Sequence, residues 1–140
     1  MADIRQVTPL FAVAPQLDET DFEAVAAAGF KSVINNRPDG EAPGQIPDAA
    51  AAKAAAAAGL TYLAIPVTGG PGPDQVDRTI AALGALQEPV LAYCRSGTRS
   101  ITTWALAQAQ SRAMTAEEII ARARAAGYDL SGLKPALDRA

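Results

Sequence analysis

Within seven residues, Cys94-Arg95-Ser96-Gly97-Thr98-Arg99-Ser100, the chain gathers its single cysteine, two arginines, two serines and a glycine. The apolar run Val90–Tyr93 before them reads as a buried strand, and Arg99 and Ser100 as the start of a helix over residues 101–110. Gly97 lets the chain take a positive φ, so that the amides of Ser96, Gly97 and Thr98 can curl inward as a cup for an anion. The positive end of the following helix points at the same spot. Amides, helix terminus and guanidinium groups together favour thiolate over thiol, which makes Cys94 a candidate nucleophile. Arg99 is the natural bidentate clamp for a bound oxyanion, Arg95 screens charge at the rim, and Ser100 is placed to donate to the thiolate. A lone cysteine ending a buried strand is more commonly a small apolar core residue. The coincidence of Cys, Gly and Arg at a strand-to-helix junction decides for chemistry.

The rest of the composition narrows that chemistry. There is no histidine, so Cys-His and Ser-His pairs and ordinary His-bearing metal sites are ruled out, and one cysteine makes neither an internal disulfide nor a cysteine-rich zinc site. No metal or organic cofactor is implied. With 12 Lys and Arg against 15 Asp and Glu the net charge is −3, which argues against nucleic acid as a partner. No apolar run reaches the ~18 residues of a membrane span, and Met1-Ala2-Asp3-Ile4-Arg5 lacks the basic and apolar stretches of a secretory signal, so a cytoplasmic location is expected.

At 140 residues one domain spanning 1–140 is expected. Strands are expected at residues 10–14, 31–35, 61–65 and 90–93, and helices at 19–28, from Pro47 and Asp48 to Gly59, and from an N-cap at Asp74 through Leu86. Alternating strands and helices imply βαβ crossovers: a three-layer α/β fold with a mostly parallel sheet of about four or five strands flanked by helices. After Ser100 only helices follow, at 101–110 and 115–126, the latter opened by a capping box of Thr115 and Glu118, then a short turn beyond Tyr128. Tyr93 and Trp104 read as packing.

The loop resembles that of rhodaneses, with four residues between Cys94 and Arg99 where cysteine-dependent phosphatases carry five. Together with Val33-Ile34-Asn35-Asn36-Arg37-Pro38-Asp39-Gly40-Glu41 and Ile65-Pro66-Val67-Thr68-Gly69-Gly70, it resembles a bacterial family, the beta-lactamase-hydrolase-associated phosphatase-like domain, over roughly residues 3–110. The resemblance implies a fold similar to dual-specificity phosphatases carrying a rhodanese-like loop. Members fused to sulfur-handling domains imply sulfur chemistry more than ester hydrolysis.

A phosphatase of that kind would carry a general-acid aspartate after the strand ending at Ile65, whereas here no carboxylate occurs before Asp74. The leading expectation is therefore a sulfurtransferase that carries sulfane sulfur as a Cys94 persulfide from a donor such as thiosulfate to a thiol acceptor. A phosphatase working through a phosphocysteine is the alternative, with Asp74, Asp39 or Glu41 as the acid and Arg37 as a second anion ligand. A non-catalytic anion or phosphopeptide binder is the third reading. The sequence leaves the oligomeric state open.

Overall fold

The computed structural model describes residues 2–140; Met1, the first residue of the stretch read for a secretory signal, lies outside them. Five strands, β1 (Arg5–Thr8), β2 (Phe11–Ala14), β3 (Ser32–Asn35), β4 (Thr61–Ala64) and β5 (Val90–Tyr93), form one sheet in the order β1-β2-β5-β3-β4. Only the β1–β2 pair is antiparallel. The helices are α1 (Asp21–Ala27), α2 (Asp48–Ala57), α3 (Pro73–Ala85), α4 (Thr98–Gln110), α5 (Ala116–Ala125) and α6 (Lys134–Arg139).

The sheet is covered on both faces, and its three inner strands, β2, β5 and β3, are buried at every position. Alternate side chains point opposite ways. Phe11, Val13, Ile34, Val90 and Ala92 join a core with residues of α3 to α6, including Trp104, which stacks on Phe11 at 5.5 Å between ring centroids. Ala12, Ala14, Val33, Leu91 and Tyr93 pack with Phe22 and Val25 of α1 and Ala51 and Ala55 of α2. The expected three-layer, mostly parallel α/β architecture is the one observed.

Three local expectations need correction. β1 was not anticipated: Arg5-Gln6-Val7-Thr8 buries only Val7, and a polar edge strand of four residues carries little periodicity. Asp74 is not the N-cap of α3. Gly72 takes that place, since Pro73 has no N–H and suits the first helical position, and the Gln75 side chain accepts from the Gly72 N–H at 2.9 Å. The chain beyond Tyr128 forms a short 3₁₀ turn and then α6, rather than a turn alone. The capping box at the head of α5 is present: Glu118 N–H donates to Thr115 Oγ1 at 3.2 Å, and Thr115 N–H to Glu118 Oε1 at 3.3 Å.

Among the described residues no helix is long and apolar enough to cross a membrane.

Candidate active site

β5 lies between β2 and β3, so both of its edges are hydrogen-bonded and its carboxyl end is fixed. Cys94 follows directly and is fully buried. Two backbone bonds anchor the departing chain: Asn36 N–H donates to Tyr93 O at 2.8 Å, and Gln16 N–H to Arg95 O at 3.2 Å. The chain then turns through Gly97, at φ +91°, into α4.

The turn aims an amide at the thiol. Gly97 N–H donates to Cys94 Sγ at 3.1 Å, and the Ser100 hydroxyl, one turn into α4, is buried with no hydrogen-bond partner among the described residues. Ser96 Oγ donates to Thr98 Oγ1 at 3.0 Å and accepts from Thr98 N–H at 3.4 Å, tightening the loop. Arg95 is exposed and forms no ion pair among the described residues.

Replacing Gly97 with alanine is expected to be costly for two reasons. The positive φ is unfavourable for any Cβ, and a Cβ there would lie 2.2 Å from the Tyr128 hydroxyl. A loss of roughly 2 kcal/mol or more is expected in thermal or urea unfolding. Gly84→Ala serves as the reference, because its Cβ would meet nothing within 4 Å.

Arg99 is held from three sides. Its Nη1 donates to Glu41 Oε2 at 2.7 Å and to Val67 O at 2.9 Å, and its Nη2 donates to Glu41 Oε1 at 2.8 Å. Glu41 thus takes the end-on edge of the guanidinium. Among the described residues the side-on edge, Nε–H with the second Nη2–H, donates to no protein oxygen, and it matches the two oxygens of a tetrahedral anion. The Glu41 hydrogen bond, and after it the charge of Cys94, raise Arg99 above its ordinary pKa.

Arg37 belongs to the same network. Its side chain is buried, with Nε donating to Glu41 Oε1 at 2.9 Å and Nη1 to Gln16 Oε1 at 3.1 Å. Gln16 sits just past β2, at the carboxyl edge of the sheet, and that position is the only sequence signal that could have singled it out.

Glu41 is a brace in this geometry. Its hydrogen bond to Arg99, followed by that to Arg37, lowers its pKa from the usual 4.5 to about 2. A group depressed in the folded state contributes stability above its unfolded pKa, and loses it as pH falls toward the folded one. Glu41→Gln is therefore expected to be less stable than the parent at neutral pH by about 1 kcal/mol after solvent screening. The gap should close between about pH 4.5 and pH 2, which thermal melts across that range would read.

The other two candidate acids stand apart. Asp39 accepts the Asp48 N–H at 2.7 Å and so serves the start of α2. Asp74, in the first turn of α3, is exposed and lies 4.0 Å from Arg78. Neither hydrogen-bonds the cysteine loop in the described residues.

A central parallel strand leading into a cysteine, a loop amide aimed at its sulfur and an arginine at the head of the next helix define a domain of the cysteine-phosphatase fold. The chain belongs to the family of the beta-lactamase hydrolase-like protein, phosphatase-like domain, whose model matches residues 3–111. A beta-lactamase hydrolase-like protein of Agrobacterium fabrum is 37% identical over 123 residues, covering 85% of this chain and 28% of that protein. The chain spans about a third or less of the curated relatives it matches. A structure described as a candidate phosphatase of Neisseria meningitidis aligns at 36% identity and TM-score 0.85, over 97% of this chain and 96% of that one. At 18% identity, the active form of Tk-PTP shares the fold, with TM-score 0.69 over 97% of this chain and 96% of that one.

These likenesses overturn the sulfurtransferase expectation: the family and the matched structures are phosphatase-like. The expectation rested on the four-residue spacer between Cys94 and Arg99, on the lack of a carboxylate between Ile65 and Asp74, and on the sulfur-handling fusions that the family resemblance implies. That spacer describes only the local ring, whereas Arg99 itself is held by Glu41 and Val67 from distant parts of the chain.

Proposed function

We propose that this domain is a cysteine-dependent phosphatase acting on phosphoric monoesters. The observation that carries the reading is the convergence of a Gly97 N–H on Cys94 Sγ with an Arg99 whose side-on edge is open. In this mechanism the Cys94 thiolate attacks phosphorus, the ester P–O bond breaks, and the phosphoryl group is held as a phosphocysteine. The loop amides and Arg99 stabilise its equatorial oxygens as charge builds. Water then attacks phosphorus, inorganic phosphate leaves and the thiolate is regenerated. Ser100, with its unpartnered buried hydroxyl, supplies a hydrogen bond to the sulfur in the leaving step.

The leaving alkoxide needs a proton. Glu41, held near pKa 2 by two arginines, is ionised at working pH and cannot give one. Of the three candidates, Asp74 and Asp39 are not tied to an arginine of the clamp, but among the described residues neither hydrogen-bonds the cysteine loop, so an acid role for either requires it to approach a bound ester. An aryl leaving group such as p-nitrophenolate departs without an acid.

The test is incubation with p-nitrophenyl phosphate, an acid quench and intact mass analysis. Nitrophenol release with a phosphoryl group trapped on Cys94 is the expected result. Absence of release above a buffer blank, from mildly acid to neutral pH, would sink the reading. Retained phosphate binding would then leave a non-catalytic binder.

A further inference from the structure

The chain after residue 111 lies outside the stretch that the family model matches, yet one of its side chains reaches the cysteine loop. The Tyr128 hydroxyl, past the end of α5, donates to Ser96 O at 2.9 Å. We infer that Tyr128 is a positioning residue for the phosphatase reaction, acting by holding the Ser96–Gly97 peptide so that its N–H points at Cys94; the inference rests on the phosphatase reading given above.

The argument is one of peptide geometry. Ser96 C=O and Gly97 N–H belong to one planar trans unit and point in opposite directions. The carbonyl end is pinned by Tyr128, and the amide end donates to Cys94 Sγ at 3.1 Å. Rotation of this peptide would withdraw the donor from the sulfur and give up the tyrosine bond together. A hydrogen bond to the carbonyl also polarises the unit and strengthens its N–H as a donor. The glycine that follows is the residue most able to rotate, so the restraint sits where the loop needs it.

Tyr128 is itself held. Arg5 of β1 lies over its ring at 5.7 Å, and Arg5 Nη1 donates to Ala126 O at 3.4 Å, tying the turn at the end of α5 to the sheet edge. Burial, with the charge of Cys94 as a smaller contributor, pushes the Tyr128 hydroxyl up, so it stays protonated and a donor at working pH. The ionisable groups around the loop are Arg95 and Arg99, Arg37 and Glu41, and Tyr128 backed by Arg5 and Asp3. Tyr128→Phe alters the charge of none of them, so any change in thiol reactivity reports on the amide.

The experiment compares parent, Tyr128→Phe and Arg5→Met in three ways: kcat and KM for p-nitrophenyl phosphate, iodoacetamide alkylation of Cys94 at about pH 6.5 and about pH 10, and thermal melting. For Tyr128→Phe, kcat is expected to fall about tenfold with KM within about twofold, because the lost restraint acts on the charged sulfur. Alkylation should slow several-fold at the lower pH and match the parent at the higher. Arg5→Met should shift the same readouts by a smaller factor. Unchanged kcat and an unchanged ratio of alkylation rates in Tyr128→Phe would overturn the inference, as would losses that only follow the melting temperature. If the parent fails to release nitrophenol, the phosphatase reading falls, and the alkylation ratio still decides whether Tyr128 aims the amide.

Discussion

Replacing Cys94 by serine is expected to cut nitrophenol release from p-nitrophenyl phosphate by about four orders of magnitude, with inorganic phosphate bound within about threefold of the parent affinity. One amide and an arginine can favour a thiolate over a thiol. They cannot do the same for a serine hydroxyl, which needs a base. The chain has no histidine, and Glu41 is already committed to Arg37 and Arg99. The anion-binding surface survives the change because Arg99, Ser96, Gly97 and Thr98 are untouched. Stopped assays and calorimetry read the two quantities separately. A serine variant retaining a tenth of the parent turnover would rule out the covalent route.

The second large effect is expected at Arg99. Arg99→Lys keeps the charge and should still lose about a hundredfold in kcat, with a rise in KM. The guanidinium makes three bonds to protein oxygens, two to Glu41 along its end-on edge and one to Val67 O, and offers its side-on edge to the ligand. An ammonium has three donors and no planar fork, so a lysine satisfying Glu41 and Val67 keeps a single N–H for the anion. The split between kcat and KM carries the information. A rise in KM with parent kcat would place Arg99 in ground-state recognition alone, and unchanged kcat and KM would remove it from the mechanism.

What the sequence made legible follows from how local each signal is. β5 and the loop it feeds could be read because an apolar run, a glycine and an arginine lie within ten residues, and because a strand-to-helix junction is where anions collect in α/β folds. The capping box of Thr115 and Glu118 was equally local. Glu41 was legible as a site residue only through the family resemblance. Its part in the site was not, since a carboxylate in a Pro- and Gly-rich loop looks the same whether it gives a proton or braces an arginine 58 residues away. Gln16 and Tyr128 were illegible for the same reason. Their contacts with Arg37 and Ser96 span 21 and 32 residues and exist only once the sheet and the α5 segment are in place. β1 was missed because a single buried side chain, Val7, makes no pattern. The spacer between Cys94 and Arg99 misled in the opposite sense, as a sharp local signal about reaction class that the rest of the chain contradicts.

The strand that carries Cys94 is the last of the five to be synthesised, yet it occupies the middle of the sheet. β2 and β3 have no ladder to one another; each pairs with β5, so until residues 90–93 emerge, the two halves of the sheet have no common strand to meet on. Closing such non-local pairings is a late and entropically expensive event in folding. The cysteine loop starts at the next residue, and its anchors on Asn36 and Gln16 come from the segments that follow β3 and β2. A growing or partly opened chain therefore carries a bare thiol, and Cys94 gains the Gly97 amide and the neighbouring Arg99 only as the two halves of the sheet are joined.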